Sequence, residues 1–317
     1  MRAMVLPRFG GPGVFELRDI DAPKPQTNEI LVRIVYSGTN PVDAKVRANG
    51  TWAGLVPPVV LGYDASGIVE SLGPDAVEFK PGDEVYYTPE IFNNPLGTYA
   101  EYNAVSERFA ARKPHNLSHE EAAAVPLAGG TAWEAMVRRL HVQSGETVLI
   151  HGGAGGVGHF AVQIAKAAGA RVLATASTRN QDVLRRLGAD VAIDYTREDF
   201  VEVALAETIE GVDAVLDTVG GDLIARSIPA TRPFGRLACI LTPQGNLDGF
   251  YTKNLTLHGV FLPRESKRLR EMRQAIEEGA LRPLIAQVLP LEDVRLAHER
   301  LDSGHGAGKI VLQVARD

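Results

Sequence analysis

A glycine-rich segment in the middle of the chain limits the possible folds most strongly. Gly153, Gly155 and Gly158 form a G-x-G-x-x-G pattern. An apolar strand candidate precedes the pattern, and an amphipathic helix candidate and a second strand candidate follow it. In this context, glycines let the backbone approach a pyrophosphate at a helix N-terminus. The pattern predicts a dinucleotide-binding loop that includes Gly153, Gly155, Gly156, Val157 and Gly158. The alternative is a glycine-rich turn without a ligand.

The middle of the chain alternates between strand and helix candidates. No proline lies between residues 127 and 228, so long helices are possible there. Helices are predicted over 159–168 and over 181–187, the second ending at Gly188. The strand candidates are 147–150, 171–175, 191–193, 214–217, 236–241 and 256–261. Alternation of this kind predicts an α/β fold with a Rossmann-type, doubly wound parallel sheet.

The first part of the chain has a different composition. Thirteen of the 19 prolines lie in residues 1–126, and short strand candidates at 30–36, 67–70 and 84–87 are separated by Gly/Pro turns. This pattern is typical of a small β-barrel or sandwich. After the middle region, helices are predicted over 264–278 and near 292–301, and a last strand over 309–314.

The residues after the second strand of the middle region indicate which dinucleotide fits. Sites for NAD usually place an acidic residue there, on the ribose 2′-hydroxyl. This chain has Ser177, Thr178 and Arg179 instead. Hydroxyl and guanidinium groups donate hydrogen bonds to phosphate, so the segment favours the 2′-phosphate of NADP(H). The alternative is a polar helix start, with Ser177 or Thr178 as the cap.

Charge and cysteine content exclude several classes of function. The net charge of −6 argues against nucleic-acid binding. The chain has one cysteine, Cys239, so it has no internal disulfide and no zinc site built from several thiolates. Neither a membrane span nor a signal peptide is indicated, which predicts a cytoplasmic protein. The spacing His115-x-x-x-His119 suggests a metal site, but Ser118 and Glu121 explain that stretch as a helix-capping box.

Further segments occur in a specific order along the chain. They are 37–43 (SGTNPVD), 62–70 (GYDASGIVE), 129–133 (GGTAW), 217–220 (DTVG) and 308–312 (GKIVL). With the glycine loop, they resemble the medium-chain dehydrogenase/reductase superfamily over nearly the whole chain. The resemblance is closest to the zinc-free quinone oxidoreductase branch that includes zeta-crystallin. It implies a GroES-like β-barrel catalytic domain from 1–123 and 262–317, with a Rossmann dinucleotide-binding domain at 124–261.

Two positions separate this chain from the zinc enzymes of that superfamily. The zinc enzymes carry Cys where this chain has Asn40 and His where it has Tyr63. Because a catalytic zinc needs three protein ligands, the resemblance implies no metal. From the residues alone, a simple turn is the favoured interpretation of Asn40-Pro41, and Tyr63 is equally a core residue.

The resemblance also implies individual roles. Asn40 is expected in an exposed cleft, facing nicotinamide and substrate, and Trp52 is expected to line the substrate pocket, with Tyr63 nearby. Ser177, Arg179 and Tyr195 are expected around the 2′-phosphate, and Thr131 beside the nicotinamide. Lys309 is expected either to approach the cofactor or to cap the last turn. The residues expected to line the cofactor are Val219, Leu241 and Phe261.

Chemistry without a metal favours acceptors that are already electrophilic. Hydride addition to a quinone or an α,β-unsaturated carbonyl gives a stabilised anion, which a few hydrogen-bond donors can support. The sequence therefore predicts an NADPH-dependent quinone or enone oxidoreductase. An enoyl-thioester reductase and a nucleotide-binding, crystallin-like structural protein are the alternatives. The strand at 256–261 is predicted at a sheet edge, where relatives pair into homodimers.

Overall fold

The computed structural model describes residues 1–315 and contains two compact units. The terminal unit consists of Met1–Ala128, Pro263–Gly279 and Pro283–Asp317, and the central unit consists of Gly129–Leu262 and Ala280–Arg282. The domain ranges drawn from the sequence differ from these units by a few residues at each boundary and remain a prediction.

Strands and helices follow one another along both units. Within residues 1–315 the strands are β1 (Arg2–Leu6), β2 (Glu16–Asp19), β3 (Glu29–Gly38), β4 (Val59–Val60), β5 (Asp64–Leu72), β6 (Glu84–Tyr87), β7 (Tyr102–Ser106), β8 (Ala110–Arg112), β9 (Thr147–His151), β10 (Arg171–Ala176), β11 (Val191–Asp194), β12 (Val212–Asp217), β13 (Thr231–Cys239), β14 (Thr256–Gly259), β15 (Ile285–Pro290) and β16 (Lys309–Gln313). The α-helices of the same residues are α1 (Pro41–Ala48), α2 (His119–Ala123), α3 (Pro126–Trp133), α4 (Gly158–Ala167), α5 (Gln181–Leu187), α6 (Phe200–Ala206), α7 (Leu223–Ser227), α8 (Ser266–Glu277) and α9 (Val294–Ser303).

The terminal unit is built on mainly antiparallel sheet. Its larger sheet has the order β15-β16-β3-β5-β6-β8, with β7 also paired to β3, and a smaller sheet has the order β2-β1-β4. Strand β16, from the end of the chain, pairs antiparallel with β3, with Val311 opposite Gly38. This pairing brings the C-terminal strand beside the start of α1.

The central unit holds a six-stranded parallel sheet in the order β11-β10-β9-β12-β13-β14. The chain builds outward from β9 first on one side and then on the other, which defines the topological switch point of a doubly wound sheet. Leu149, Leu173, Val215 and Leu237 are fully buried in its core. The α/β fold class, with a Rossmann sheet and a GroES-like domain, is thus confirmed.

Most central elements lie within a residue or two of their predicted positions, but β13 begins earlier than predicted. Helix α5 spans the predicted 181–187 and ends at Gly188, which adopts φ +99°. Strand β13 begins at Thr231 rather than 236. From the sequence, a start before Pro233 was not expected, because proline is disfavoured inside a strand. It lies where the pairing with β12 shifts register, so no ladder hydrogen bond requires its missing N–H group.

Among residues 1–315, no helix combines the length and the apolar character needed to span a bilayer.

Candidate active site and nucleotide site

Asn40 lies between β3 and α1 and is almost completely buried, at 1% exposure. It directly precedes the first turn of α1, where Pro41 suits the N1 position because an N–H group there would have no intrahelical partner. Its side-chain Nδ2 donates to Asp64 Oδ2 at 2.8 Å, and its Oδ1 accepts from Lys309 at 2.5 Å. The expectation that Asn40 lies in an exposed cleft was therefore wrong, because its side-chain amide is buried and hydrogen-bonded to other protein groups.

Lys309 and Asp64 complete this buried centre. The ammonium of Lys309 also donates to the Thr39 carbonyl at 2.7 Å and lies 3.4 Å from Asp64 Oδ2. The other oxygen of Asp64 accepts the Leu127 N–H at 2.7 Å. Burial raises the pKa of Asp64 and lowers the pKa of Lys309, and their mutual attraction opposes both shifts. With its ammonium committed in this way, Lys309 would have to give up a protein hydrogen bond to contact a cofactor.

A second set of buried polar groups adjoins Asn40. Asp43 Oδ2 accepts the Asn40 backbone N–H at 2.6 Å and the Tyr99 hydroxyl at 3.0 Å. The Tyr99 hydroxyl lies 3.3 Å from His298 Nε2, and His298 Nδ1 lies 3.1 Å from Arg47 Nη1. The sequence reasoning missed these residues. The one available signal in the sequence was Asp43, an acidic residue at the third position of a helix that starts with proline.

Trp52 and Tyr63 have opposite environments. Trp52 is 47% exposed and meets Phe92 edge to face, with ring centroids 6.0 Å apart. Tyr63 is fully buried, and its hydroxyl has no hydrogen-bond partner among the described residues. Trp52 is therefore accessible to a ligand in this structure, whereas Tyr63 is not.

The glycine loop follows β9 and opens helix α4. Gly152 turns the chain with φ +70°. A Cβ atom on Gly158 would lie 2.1 Å from the Gly152 carbonyl oxygen, so glycine is required where the helix passes closest to the turn. Within the described part of the chain, the N–H groups of Gly156 and Val157 donate to no backbone or side-chain acceptor. Free N–H groups before a helix N-terminus suit a pyrophosphate.

A hydrogen bond joins the segments that follow β10 and β11. Thr178 Oγ1 donates to Asp194 Oδ2 at 2.6 Å. This bond brings Ser177 and Arg179 to the same edge of the sheet as Tyr195, which is 53% exposed. The Thr178 hydroxyl proton is therefore committed to Asp194, and the Ser177 hydroxyl accepts only a long contact from Asn180, at 3.4 Å.

Asp194 is the acid that the sequence reasoning overlooked at this edge. It ends β11 instead of β10, so the usual search for an acid after the second strand does not reach it. Hydrogen bonds from Thr178 and Thr196 hold the pKa of Asp194 below its usual range. Arg179, in contrast, makes no hydrogen bond or ion pair within residues 1–315.

Three of the four remaining predicted cofactor residues follow the carboxyl ends of central strands, and the fourth lies in a helix. Val219 follows β12 and is 55% exposed, and Phe261 follows β14 and is 60% exposed. Leu241 follows β13 and packs against Gly220. Thr131 is buried in α3. Open parallel sheets bind ligands at this edge, beside the switch point.

The histidines that suggested other chemistry have separate protein partners. His115 pairs with Glu277, whereas His119 contacts Ser66 and Glu84. His151 is buried against the Ser227 hydroxyl. Within residues 1–315, no group of three or more His, Cys, Asp or Glu side chains is arranged to hold a metal ion.

Comparison with known proteins agrees with this architecture. Residues 26–115 match the family model of the alcohol dehydrogenase GroES-like domain, and residues 187–312 match that of the zinc-binding dehydrogenase. The chain is 33% identical to NADPH-dependent alkenal/one oxidoreductase of Arabidopsis thaliana, over 98% of this chain and 79% of that protein. It is 30% identical to quinone oxidoreductase of Homo sapiens, over 98% and 97% respectively. A crystal structure of an NAD-dependent alcohol dehydrogenase superposes with a TM-score of 0.93 at 36% identity, covering 99% of this chain and all of that one.

The chain belongs to the medium-chain dehydrogenase/reductase superfamily, in its zinc-free quinone oxidoreductase-like branch. It is an oxidoreductase with a nucleotide-binding fold.

Proposed function

We propose that the protein transfers hydride from NADPH to a quinone or an α,β-unsaturated carbonyl compound without a metal ion. The observation that carries this proposal is the hydrogen bond from the Lys309 ammonium to Asn40 Oδ1. Asn40 stands where the zinc enzymes of the superfamily place a ligand. A cation bound at that oxygen would displace the ammonium or lie beside it, and two adjacent buried positive charges repel strongly.

The choice of substrate follows from this chemistry. Oxidation of a simple alcohol needs removal of a proton from a very weak acid, which a Lewis acid ordinarily assists. Quinones and enones accept hydride more easily, because the resulting anion is delocalised. The exposed, apolar ring of Trp52 suits a flat acceptor of this kind.

The nucleotide edge of the central unit fits NADPH. When bound, the cofactor supplies a hydride from its nicotinamide ring. The N–H groups of Gly156 and Val157 would bind the pyrophosphate. Arg179 and Ser177 would bind the 2′-phosphate, and Tyr195 would cover the adenosine. Thr131 would lie beside the nicotinamide, and the residues lining the cofactor would be Val219, Leu241 and Phe261. The names of the relatives differ on this point, so the uncommitted guanidinium of Arg179 is the main support for NADPH over NADH.

In this proposal, Asn40 is a positioning residue. Both atoms of its side-chain amide are hydrogen-bonded to Asp64 and Lys309, so a direct contact with substrate would cost one of these bonds. Its role would be to hold the ammonium of Lys309 and the carboxylate of Asp64 in one arrangement. The hydrogen-bonded centre would then keep the two opposite charges of this buried pair fixed throughout the proposed reaction.

A steady-state screen with NADPH tests the activity. We expect turnover with quinones and enones, little turnover with simple ketones, and no loss of activity in a chelator. Thioester substrates turned over faster than free enones would favour an enoyl-thioester reductase. Nucleotide binding without any turnover would favour a structural, crystallin-like role. Zinc bound tightly, and lost together with activity, would contradict the metal-free mechanism.

The substitution Asn40→Ala tests the centre itself. We expect kcat/KM to fall by roughly tenfold to a thousandfold, as for loss of a placed polar group. Stability should fall as well, because Asp64 and Lys309 each lose a buried partner. Asn103→Ala is the matched control. Asn103 is also buried in the terminal unit, but its amide bonds the Leu96 carbonyl. The control should lose stability and keep its specific activity.

We also propose a homodimer formed through β14, together with a cytoplasmic location. Strand β14 ends the sheet order of the central unit and is partly exposed. An unpaired strand edge offers backbone groups to a second copy. Light scattering after size-exclusion chromatography should give twice the 34.1 kDa chain mass. A proline at Leu257 should shift the protein to a monomer, whereas a monomeric wild type would exclude the dimer.

A further inference from the structure

Asp43 has two oxygen atoms in very different environments. The side chain is fully buried at the start of α1. Its Oδ2 accepts hydrogen bonds from the Asn40 N–H and from the Tyr99 hydroxyl, whereas its Oδ1 has no partner within the described residues. A buried carboxylate oxygen without a partner is costly when charged. A proton on Oδ1 would remove that charge.

The charges around Asp43 also favour its protonated, neutral state. The Lys309 ammonium faces both Asp43 and Asp64, but its direct contacts are with Asp64, Asn40 and Thr39. Near Tyr63, Arg264 is balanced by Glu90 as well as by Asp64. Asp64 is therefore in direct contact with the Lys309 ammonium, whereas Asp43 has no direct cationic partner among the described residues.

The remaining neighbours of Asp43 are neutral or already paired. On α9, burial and the nearby Arg47 lower the pKa of His298 to about 3, so this ring is neutral at pH 7. Arg47 itself binds both oxygens of Asp302, at 3.0 and 2.8 Å. A neutral His298 that accepts from Arg47 at Nδ1 carries its proton on Nε2, facing the Tyr99 oxygen.

This order of donors decides which oxygen of Asp43 can hold a proton. His298 donates to Tyr99, and Tyr99 donates to Asp43 Oδ2. Since Asn40 also donates to Oδ2, that oxygen already accepts two hydrogen bonds. Only Oδ1 is left to carry a proton. Consistent with this geometry, burial raises the pKa of Asp43 to about 7.

We propose that Asp43 is a positioning residue that carries a proton on Oδ1 up to neutral pH. The functional consequence rests on the proposed reductase activity. Loss of the proton leaves a second charged carboxylate facing the Lys309 ammonium. This carboxylate attracts the ammonium and draws it away from Asn40. The hydrogen-bonded centre of Asn40, Asp64 and Lys309 is therefore intact only while Asp43 is protonated.

Infrared spectroscopy of the carboxyl carbonyl tests the proton without any assay of activity. We expect the wild-type protein to lose a protonated-carboxyl band with a midpoint near pH 7. The isosteric variant Asp43→Asn should lack this transition. A wild type without a carboxyl transition between about pH 6 and 8, or the same transition in Asp43→Asn, would overturn the proposal.

The pH dependence of catalysis tests the consequence. In the wild type, kcat/KM for the best acceptor should fall about tenfold per pH unit above about pH 7. This alkaline limb of the pH profile, the fall of kcat/KM above about pH 7, should be absent in Asp43→Asn. An Asp43→Asn limb identical to that of the wild type would exclude the positioning role. If no acceptor is reduced at all, the proposed function fails, whereas the infrared transition still decides the protonation of Asp43.

Discussion

Lys309 and Asn40 are 269 residues apart in the chain, yet the ammonium of one donates to the amide oxygen of the other at 2.5 Å. The contact exists because β16 pairs with β3, whose end leads directly into Asn40. It places a positive charge where the zinc relatives have a metal ligand. The stability of this charge depends on Asp64, which lies on the adjacent strand β5.

The first prediction concerns that charge. Lys309→Met should lower the free energy of unfolding by about 3–5 kcal/mol, because it leaves Asp64 buried without its cation. Lys166→Met is the matched control, since Lys166 pairs with Asp190 at a partly exposed site and should lose at most about 1 kcal/mol. Urea unfolding measures both. Equal losses in the two variants would show that the buried ion pair has no special weight.

The second prediction concerns cofactor selection. Arg179→Ala should weaken NADPH binding by roughly tenfold to a hundredfold, because a charge-assisted hydrogen bond to phosphate is lost. NADH binding should stay nearly unchanged. Arg186→Ala, an exposed arginine on α5, controls for the general effect of charge. Fluorescence titrations with both cofactors provide the measurement, and equal affinities of the wild type for NADPH and NADH would refute the assignment.

The third prediction concerns the glycine loop. In Gly158→Ala the new Cβ would lie 2.1 Å from the Gly152 carbonyl oxygen, so the start of α4 must move. We expect a loss of about 1–3 kcal/mol of stability and weaker NADPH binding. In Gly155→Ala the nearest atom would lie at 3.2 Å, which small movements relieve. Comparable unfolding curves for the two variants would argue against this explanation.

The fourth prediction concerns acid. Burial lowers the pKa of His151 from 6.5 to about 3, so the folded protein keeps this ring neutral. Its contribution to stability is complete above pH 6.5 and is lost as the pH falls toward 3, since the unfolded chain binds the proton first.

Urea unfolding at several pH values tests this effect. The wild type should lose about 1.4 kcal/mol more per pH unit than His151→Gln over that range. His305→Gln, which alters an exposed histidine, should follow the wild type. Parallel curves for the wild type and His151→Gln would contradict the prediction.

How much was predictable from sequence depended on the distance between the interacting residues. Helix α5 and its terminal Gly188 were predictable because the signal is local. The same holds for the loop from Gly152 to Gly158, where strand, glycines and helix adjoin. The hydrogen bond between Asn40 and Lys309 depends on strand pairing between distant segments. No local sequence pattern predicts which buried amide will contact which ammonium.

Burial produced the other differences. Asn40 was expected in an exposed cleft because the family resemblance implied that it faces nicotinamide and substrate, but its partners Asp64 and Lys309 satisfy its amide inside the protein. Asp194 was missed for a related reason, because its role follows from a hydrogen bond across two strands to Thr178. Roles for Trp52, Tyr63 and the nucleotide-lining residues remain predictions.

The pairing of β16 with β3 also sets an order of events during synthesis. All six strands of the central sheet, from β9 to β14, have left the ribosome once Gly259 has emerged. At that moment Asn40 and Asp64 are present as well, but Lys309 is not. A nascent chain can therefore complete its central sheet while the buried centre around Asn40 still lacks the ammonium that neutralises Asp64. Closure of the last strand supplies the missing charge, so the chain completes the central sheet before it completes this centre.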